Sequence, residues 1–293
     1  MASNTYTGKV TVMEVLVWIL LVAVVLFTLA PIVFMFVASF MDAKQILSMP
    51  FNWIPSKSYF TSADRTFFTN FHKAIWGNNN SFSFPRNIVN SLVVAITDSV
   101  TTVLLASLAG YGIAKFKFKG RNFVFMSIMA TMMIPFEAIM IPLYMVASGM
   151  RMINTYQGLI VPFMVSAFGV FQMRQYLITF PSEYLDAARV DGLNEFRIYS
   201  RIVLPNCTPV VATLGILSFR NQWDNLLWPL LVAQSEKMKT IPQYITKFSE
   251  EKQTDEGAMM ACAFIASIPM FLLFACLSKY FIGGAAVYES RKG

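Results

Sequence analysis

The sequence predicts an all-α, polytopic membrane protein with six transmembrane helices, and three observations carry that expectation. The chain of 293 residues is 56% hydrophobic, with a mean hydropathy of +0.55. Charged residues make up 13% of it, about half the share of a typical soluble domain. The apolar residues fall in long unbroken runs. A bilayer offers no water to bare backbone groups, so it admits helices or closed barrels only, and runs of this length choose helices.

Taken in order, the first run covers residues 15–40 and exceeds the apolar core of a secretory signal, so an uncleaved span is expected. Residues 41–86 are rich in Asn, Ser, Phe and Pro, carry Trp53, Trp76 and the lone His72, and are too polar to cross. They read as an outer loop in which Asn78-Asn79-Asn80-Ser81 is a turn-rich stretch. The second span, 88–114, closes on Lys115, Lys117, Lys119 and Arg121. Cations concentrate in cytosolic loops, which puts this one inside and fixes the topology. The third span, 123–147, holds Pro135 and Pro142, which are expected to bend it. A fourth covers 157–178. Residues 179–205, with Arg189, Arg197 and Arg201, are cytosolic by the same count. A fifth span at 206–232, a mixed-charge outer loop at 233–257 and a sixth span at 259–283 leave Glu289, Arg291 and Lys292 in a short tail. Both termini then face the cytosol, and residues 1–293 form one membrane domain.

Several function classes drop out. A net charge of +7 would suggest nucleic acid in a soluble protein, but here the cytosolic bias of Lys and Arg accounts for it, and no nucleic-acid module is visible. Cys207, Cys262 and Cys276 are odd in number and lack metal spacing, so they read as packing residues. No G-x-x-x-x-G-K-[ST] loop is present to cradle nucleotide phosphates. With a single His and no nucleophile, base and orienter set, there is no catalytic residue, metal site or cofactor to assign, and the chain is not expected to be an enzyme.

The most informative segment lies between the fourth and fifth spans. Pro181-Ser182-Glu183 opens a short helix, with Ser182 as a candidate cap. Tyr184, Leu185 and Ala188 share a face by spacing, and the small pair Ala187-Ala188 permits close approach of another surface. Gly192 ends that helix. Asn194 can cap a second one, with Phe196, Tyr199 and Val203 at helical spacing, until Pro205 interrupts the pattern. The result is a helix-turn-helix elbow.

An acid, two alanines, three residues, glycine, nine residues and then Ile202-x-Leu204-Pro205 resembles the EAA loop of the inner-membrane permeases of ATP-binding-cassette importers. The flanking Phe171-Gln172-Met173-Arg174-Gln175-Tyr176 and the Trp-containing run from Asn221 to Leu230 look like the carbohydrate branch, which includes the smaller membrane subunit of the maltose transporter. The family's usual glutamate is Asp186 here, one methylene shorter. The resemblance implies a bacterial inner-membrane permease without a nucleotide site of its own. It also implies a second permease subunit, two ATPase subunits, an extracytoplasmic solute-binding protein and an oligosaccharide substrate. Asp186, Ala187, Ala188 and Gly192, with Leu204 and Pro205 closing the motif, are then the residues that couple to the ATPase.

Ionisable residues inside spans need a partner or an aqueous path, and the candidates are Asp98, Glu137, Arg220 and Asp224. Arg220 and Asp224 lie four apart and share a helix face with Trp223 and nearly with Trp228, with Asn221 adjoining. Sugars are bound by planar hydrogen-bonding groups beside aromatic rings, so Arg220, Asn221, Trp223, Asp224 and Trp228 are the candidate substrate path. The competing reading is an internal ion pair with tryptophans that anchor the fifth span. Against the resemblance, where the position of Arg220 is more often small, an arginine suggests an acidic substrate such as a uronate, alginate-type oligosaccharide. Lys44, Lys57, Arg65, Lys73 and Arg86 against Asp42 and Asp64 in the outer segment point the same way. The alternative function is an ion-coupled secondary transporter using Asp98, Glu137 and Asp224, which inverted repeats would favour, and none is seen.

Overall fold

The computed structural model describes residues 11–57, 68–77, 84–250 and 255–290, with the backbone alone at 249–250 and from 278 onward. The Asn78 to Ser81 stretch, Asp64, Arg65, Arg291 and Lys292 lie outside the described residues. Among the described residues every regular element is a helix. The chain divides into two compact units, residues 1–74 with 248–265 and residues 75–247 with 266–293.

In the first unit, α1 (Val12–Ala38) opens with a capping box in which Glu14 accepts from the Thr11 N–H at 2.8 Å. Nothing in its most apolar window is buried within the chain, the environment of a helix that meets lipid or a partner. The segment 41–86, expected as a loop, carries α2 (Ala43–Ile46) and α3 (Thr69–Trp76). Asn70 holds it down by donating to the carbonyls of Ser39 and Met41, both at 2.9 Å. Lys73 pairs with Asp255 at 2.6 Å. A Cβ at Gly257 would lie 2.4 Å from both Asn70 Nδ2 and Met41 O, so the contact admits only glycine.

The second unit is built on α4 (Phe84–Lys115). Its 32 residues run about 48 Å, well beyond a ~30 Å hydrocarbon layer. Two further helices, α8 (Ala167–Ile178) and α12 (Thr208–Trp223), pack along it. The approach is close because small residues line it. A Cβ at Gly110 would meet Met173 Cβ at 2.7 Å, and one at Gly169 would meet Ala106 Cβ at 3.0 Å. Ser99 also donates to Gly215 O at 2.6 Å, a polar contact typical of helices without a hydrophobic drive to associate.

Three of the six expected spans are broken. α5 (Arg121–Thr131) meets α6 (Phe136–Gly149) at 97°. Pro135, in extended conformation, starts α6, whereas Pro142 lies within it. α7 (Tyr156–Ile160) passes through a 3₁₀ turn at Val161–Phe163 into α8 with a 42° bend. The fifth span is not one helix over 206–232. α12 stops at Trp223 and α13 (Leu227–Val232) follows after a break. Its 16 residues reach about 24 Å, too short to cross alone. Among the described residues three helices can cross by length and composition, or six if each of three bent pairs counts as a span, the third pair being Glu195–Asn206 with α12.

The segment 233–257 is also more ordered than a loop, with a 3₁₀ turn at Glu236–Met238 and α14 (Ile241–Glu250). Ile241 and Tyr244 are buried, and Glu236 pairs with Lys239 at 2.6 Å and with Lys247. Asn90 of α4 donates to the carbonyls of Lys237 and Lys239 at 3.0 and 2.9 Å and accepts from Tyr156 at 2.7 Å. The last helix, α15 (Glu256–Ser290), outruns the expected 259–283 at both ends. Cys207 and Cys262 are buried, as expected of packing residues, but Cys276 is exposed.

Candidate coupling elbow and translocation path

The elbow consists of α9 (Glu183–Val190), α10 (Glu195–Ile198), a π-helical turn at Tyr199–Val203 and α11 (Leu204–Asn206). Ser182 does not cap α9 with its side chain; its hydroxyl instead accepts from Lys115 Nζ at 3.4 Å. Gly192 takes φ +81°, and the N–H groups of Gly192 and Leu193 return to Arg189 O and Ala188 O, each at 3.0 Å. This closes α9 in the left-handed conformation that glycine adopts without strain. Asn194 accepts from Arg197 N at 2.9 Å and starts α10. Pro205, expected to interrupt the second helix, does not. The chain stays helical through Asn206 and turns by 81° around Cys207. Proline lacks the N–H that an α-helical turn would use, and the wider π turn before it absorbs the mismatch.

One face of the elbow is interior. Leu185, Ala188, Ile198, Tyr199 and Val203 join Tyr111 and Ile113 of α4 and Leu177 of α8 in a single buried cluster. Tyr184, grouped with Leu185 and Ala188 by spacing, faces out at 59% exposure, and so do Phe196 at 70% and Val190 at 88%. Of the motif residues, Asp186, Ala187, Gly192 and Pro205 are exposed, and Leu204 is half-buried. Ala188 is buried among this chain's own side chains, so its small size serves packing onto α4 and α8, and it offers no surface to another subunit. The outward Val190 and Phe196 were not singled out as contact residues. Spacing groups Phe196 with Tyr199 and Val203, yet it points out while they are buried, and Val190 beside the glycine turn carries no periodic signal to mark it as exposed.

A polar chain ties the elbow to α4. Arg189 donates to Asp186 at 2.7 Å and to Glu195 at 2.8 Å, and Tyr111 donates to the other oxygen of Glu195 at 2.9 Å. Arg189 therefore holds the Glu195 carboxyl below its usual value, with Tyr111 adding to the effect, and Arg189 is itself raised by Glu195. Deeper in, the hydroxyls of Ser107 and Tyr199 lie 2.6 Å apart. Lys115 Nζ donates to Phe180 O at 2.5 Å. Asp186 is thus one end of a four-residue link into a membrane helix.

At the break in the fifth span the structure separates the expected path residues. Arg220 Nε lies 3.5 Å from Asp224 Oδ2, and the two side chains are 63% and 60% exposed; Asn221 is exposed beside them. The tryptophans are interior. Trp223 donates to Ala266 O at 3.1 Å and stacks on Phe219 with centroids 5.6 Å apart. Trp228 is fully buried, donates to Gly158 O at 2.8 Å and meets Phe136 and Phe163 edge-on. Neither ring presents a face on which a sugar could stack; both anchor their helices. Gln222, just before Trp223, and Asp98 of α4 are both buried. Glu137 is exposed, and Asp98, Glu137 and Asp224 form no cluster among the described residues. What remains outward at the break is a guanidinium, a carboxylate and an amide, which suit hydroxyl and carboxylate ligands.

Comparison with known proteins places this geometry. The family described as binding-protein-dependent transport system inner membrane component matches residues 102–284. The arabinooligosaccharides transport system permease protein AraQ of Bacillus subtilis (strain 168) is 38% identical over 198 residues, covering 68% of this chain and 70% of that one. The lactose transport system permease protein LacG of Rhizobium radiobacter is 36% identical, covering 68% and 73%. The sn-glycerol-3-phosphate transport system permease protein UgpE of Brucella abortus (strain 2308) is 32% identical, covering 88% and 91%. A chain in the crystal structure of a bacterial ABC transporter involved in the import of the acidic polysaccharide alginate shares the fold, with a TM-score of 0.76 at 19% identity over 94% of this chain and 100% of that one.

Proposed function

We propose a specific role on the premise that this chain belongs to the family of binding-protein-dependent transport system inner membrane components and is a sugar-type permease of an ATP-binding-cassette importer. It is one of two membrane subunits that together form a path opening alternately to each side, and it carries an oligosaccharide into the bacterial cytosol. Partner ATPases supply the work through the elbow at 179–205, and a solute-binding protein delivers the substrate. Lys115 to Arg121 and the elbow lie on the cytosolic side, as do both termini.

The observation that carries this role is the build of the elbow. Asp186, Ala187 and Gly192 are outward, Val190 and Phe196 project beside them, and the inner face is fastened to α4 by packing and by the Arg189–Glu195–Tyr111 link. A surface that grips a partner on one side and a long membrane helix on the other transmits motion as a rigid body. ATP-dependent uptake by the reconstituted complex tests the role. Uptake driven by a proton or sodium gradient without ATP would overturn it. The ion-coupled alternative lacks support here, because its three carboxylates do not converge.

For the substrate, the exposed Arg220 supports an acidic, uronate-type oligosaccharide, now without a stacking contribution from Trp223 or Trp228. A hydrogen bond between charged partners contributes on the order of 2 kcal/mol, so Arg220→Gln is expected to slow uptake of an acidic oligomer by tens of fold and that of a neutral one far less. If Arg220 only balances Asp224, Arg220→Gln with Asp224→Asn recovers uptake of both substrates alike, and the acidic reading fails.

A further inference from the structure

One cavity is lined by cations that the transport role leaves unused. It has a volume of about 330 Å³ and lies where the ends of α4 and α8 meet the start of α5. Its charged lining is Lys115, Lys117, Arg121 and Arg174, joined by the Ser182 hydroxyl, with no carboxylate among the residues that form it. The nearest acid in effect is Glu183, whose charge acts on Lys115. Among the described residues Lys117, Arg121 and Arg174 make no ion pair. Arg174 lies 3.9 Å over the Phe125 ring, and its buried Nε has no hydrogen-bond partner. A second, shallower concavity shares Lys117 and Arg121 and adds the exposed Phe118 and Phe123.

Like charges gathered this closely repel one another, and a buried donor without an acceptor is costly. An anion with several oxygens relieves both, and a phosphate group matches the forked geometry of arginine. The position favours a lipid as its source. The cavity sits at the end of a helix long enough to cross the membrane, and the exposed Phe118 and Phe123 beside it suit the boundary where a headgroup meets its first methylenes. We infer that this cavity binds the phosphate headgroup of an anionic membrane lipid. The inference requires a membrane-embedded chain but not the proposed substrate, the ATPase contact or the orientation of the termini.

The test uses the complete transporter in nanodiscs of phosphatidylcholine with graded phosphatidylglycerol, followed by native mass spectrometry of the lipid retained after a detergent wash. Phosphatidylglycerol is expected to be retained over phosphatidylcholine and to resist displacement by excess inorganic phosphate, which lacks the acyl part. Lys117→Gln with Arg121→Gln should lower retention roughly thirty-fold, at about 1 kcal/mol per cation. Lys117→Arg with Arg121→Lys should keep it. Lys115 and Arg174 are left intact because they also hold Phe180 and Phe125. Equal retention in the glutamine variant and the wild type overturns the inference. Displacement by inorganic phosphate with no lipid preference assigns the site to a free anion and overturns the lipid. Loss of subunit assembly in the glutamine variant, again with no lipid preference, assigns the cations to a partner's carboxylates.

Discussion

Substitution of Gly192 isolates the backbone of the elbow from its contacts. Its φ is +81°, and a Cβ built there meets nothing within 4 Å, so a side chain costs conformation alone and no steric clash. For alanine the left-handed conformation costs roughly 1–2 kcal/mol, and for asparagine less, because its side chain bonds locally. Proline forces φ to about −65° and removes the N–H, a loss of ~3 kcal/mol or more; here that N–H donates to Arg189 O at 3.0 Å. If the turn must keep its shape to dock, Gly192→Ala should lower substrate-stimulated ATP hydrolysis about five- to thirty-fold, Gly192→Asn less, and Gly192→Pro should abolish it. The assay is ATP hydrolysis by the reconstituted complex with and without loaded binding protein, with membrane insertion of each variant verified by fractionation. Equal stimulation across all three variants would falsify the coupling role of the turn, since no other account preserves docking on a broken elbow.

Trp228→Phe strips the donor from the buried carbonyl of Gly158 and should destabilise the detergent-solubilised chain by about 1–3 kcal/mol, with Trp228→Ala losing about 3–5 kcal/mol; thermal unfolding reads both. Glu195, whose carboxyl is held below the usual glutamate value by Arg189, then Tyr111, contributes stability that is present above that usual value and lost as pH falls through the depressed one. The stability difference between wild type and Glu195→Gln should therefore be present at neutral pH and vanish once the pH falls below the depressed value, as measured by hydrogen exchange across residues 183–198. For topology, cysteines placed at Ser235 should react with an impermeant reagent from outside, and those at Lys117 or Arg197 should not. The background needs Cys276 removed, because that thiol is exposed, and outside labelling at 117 would sink the orientation.

What the sequence made legible follows from which residues carry local information. Gly192 and Asn194 act within a few residues of themselves, so the turn and the second cap could be placed before any tertiary contact was known. Apolar runs at 15–40 and 88–114 exceed the bilayer thickness and could not mislead. The failures share the opposite cause. Whether Tyr184 or Leu185 faces in depends on where α4 and α8 lie, and spacing alone puts both on one side. Pro205 reads as a break only if the helix before it is α-helical, and a π turn removes that premise. Trp223 and Trp228 read as a binding surface because tryptophan beside Asn and Asp suits a sugar, yet each indole N–H is taken by a buried carbonyl 43 and 70 residues away in sequence. A span that stops at Trp223 and resumes at Leu227 leaves backbone groups that lipid cannot satisfy, so that break must face protein or water. Arg220 and Asp224, more than half exposed at that same break, are where water can reach within the membrane, so the proposed substrate path rests on the backbone break rather than on the aromatic rings.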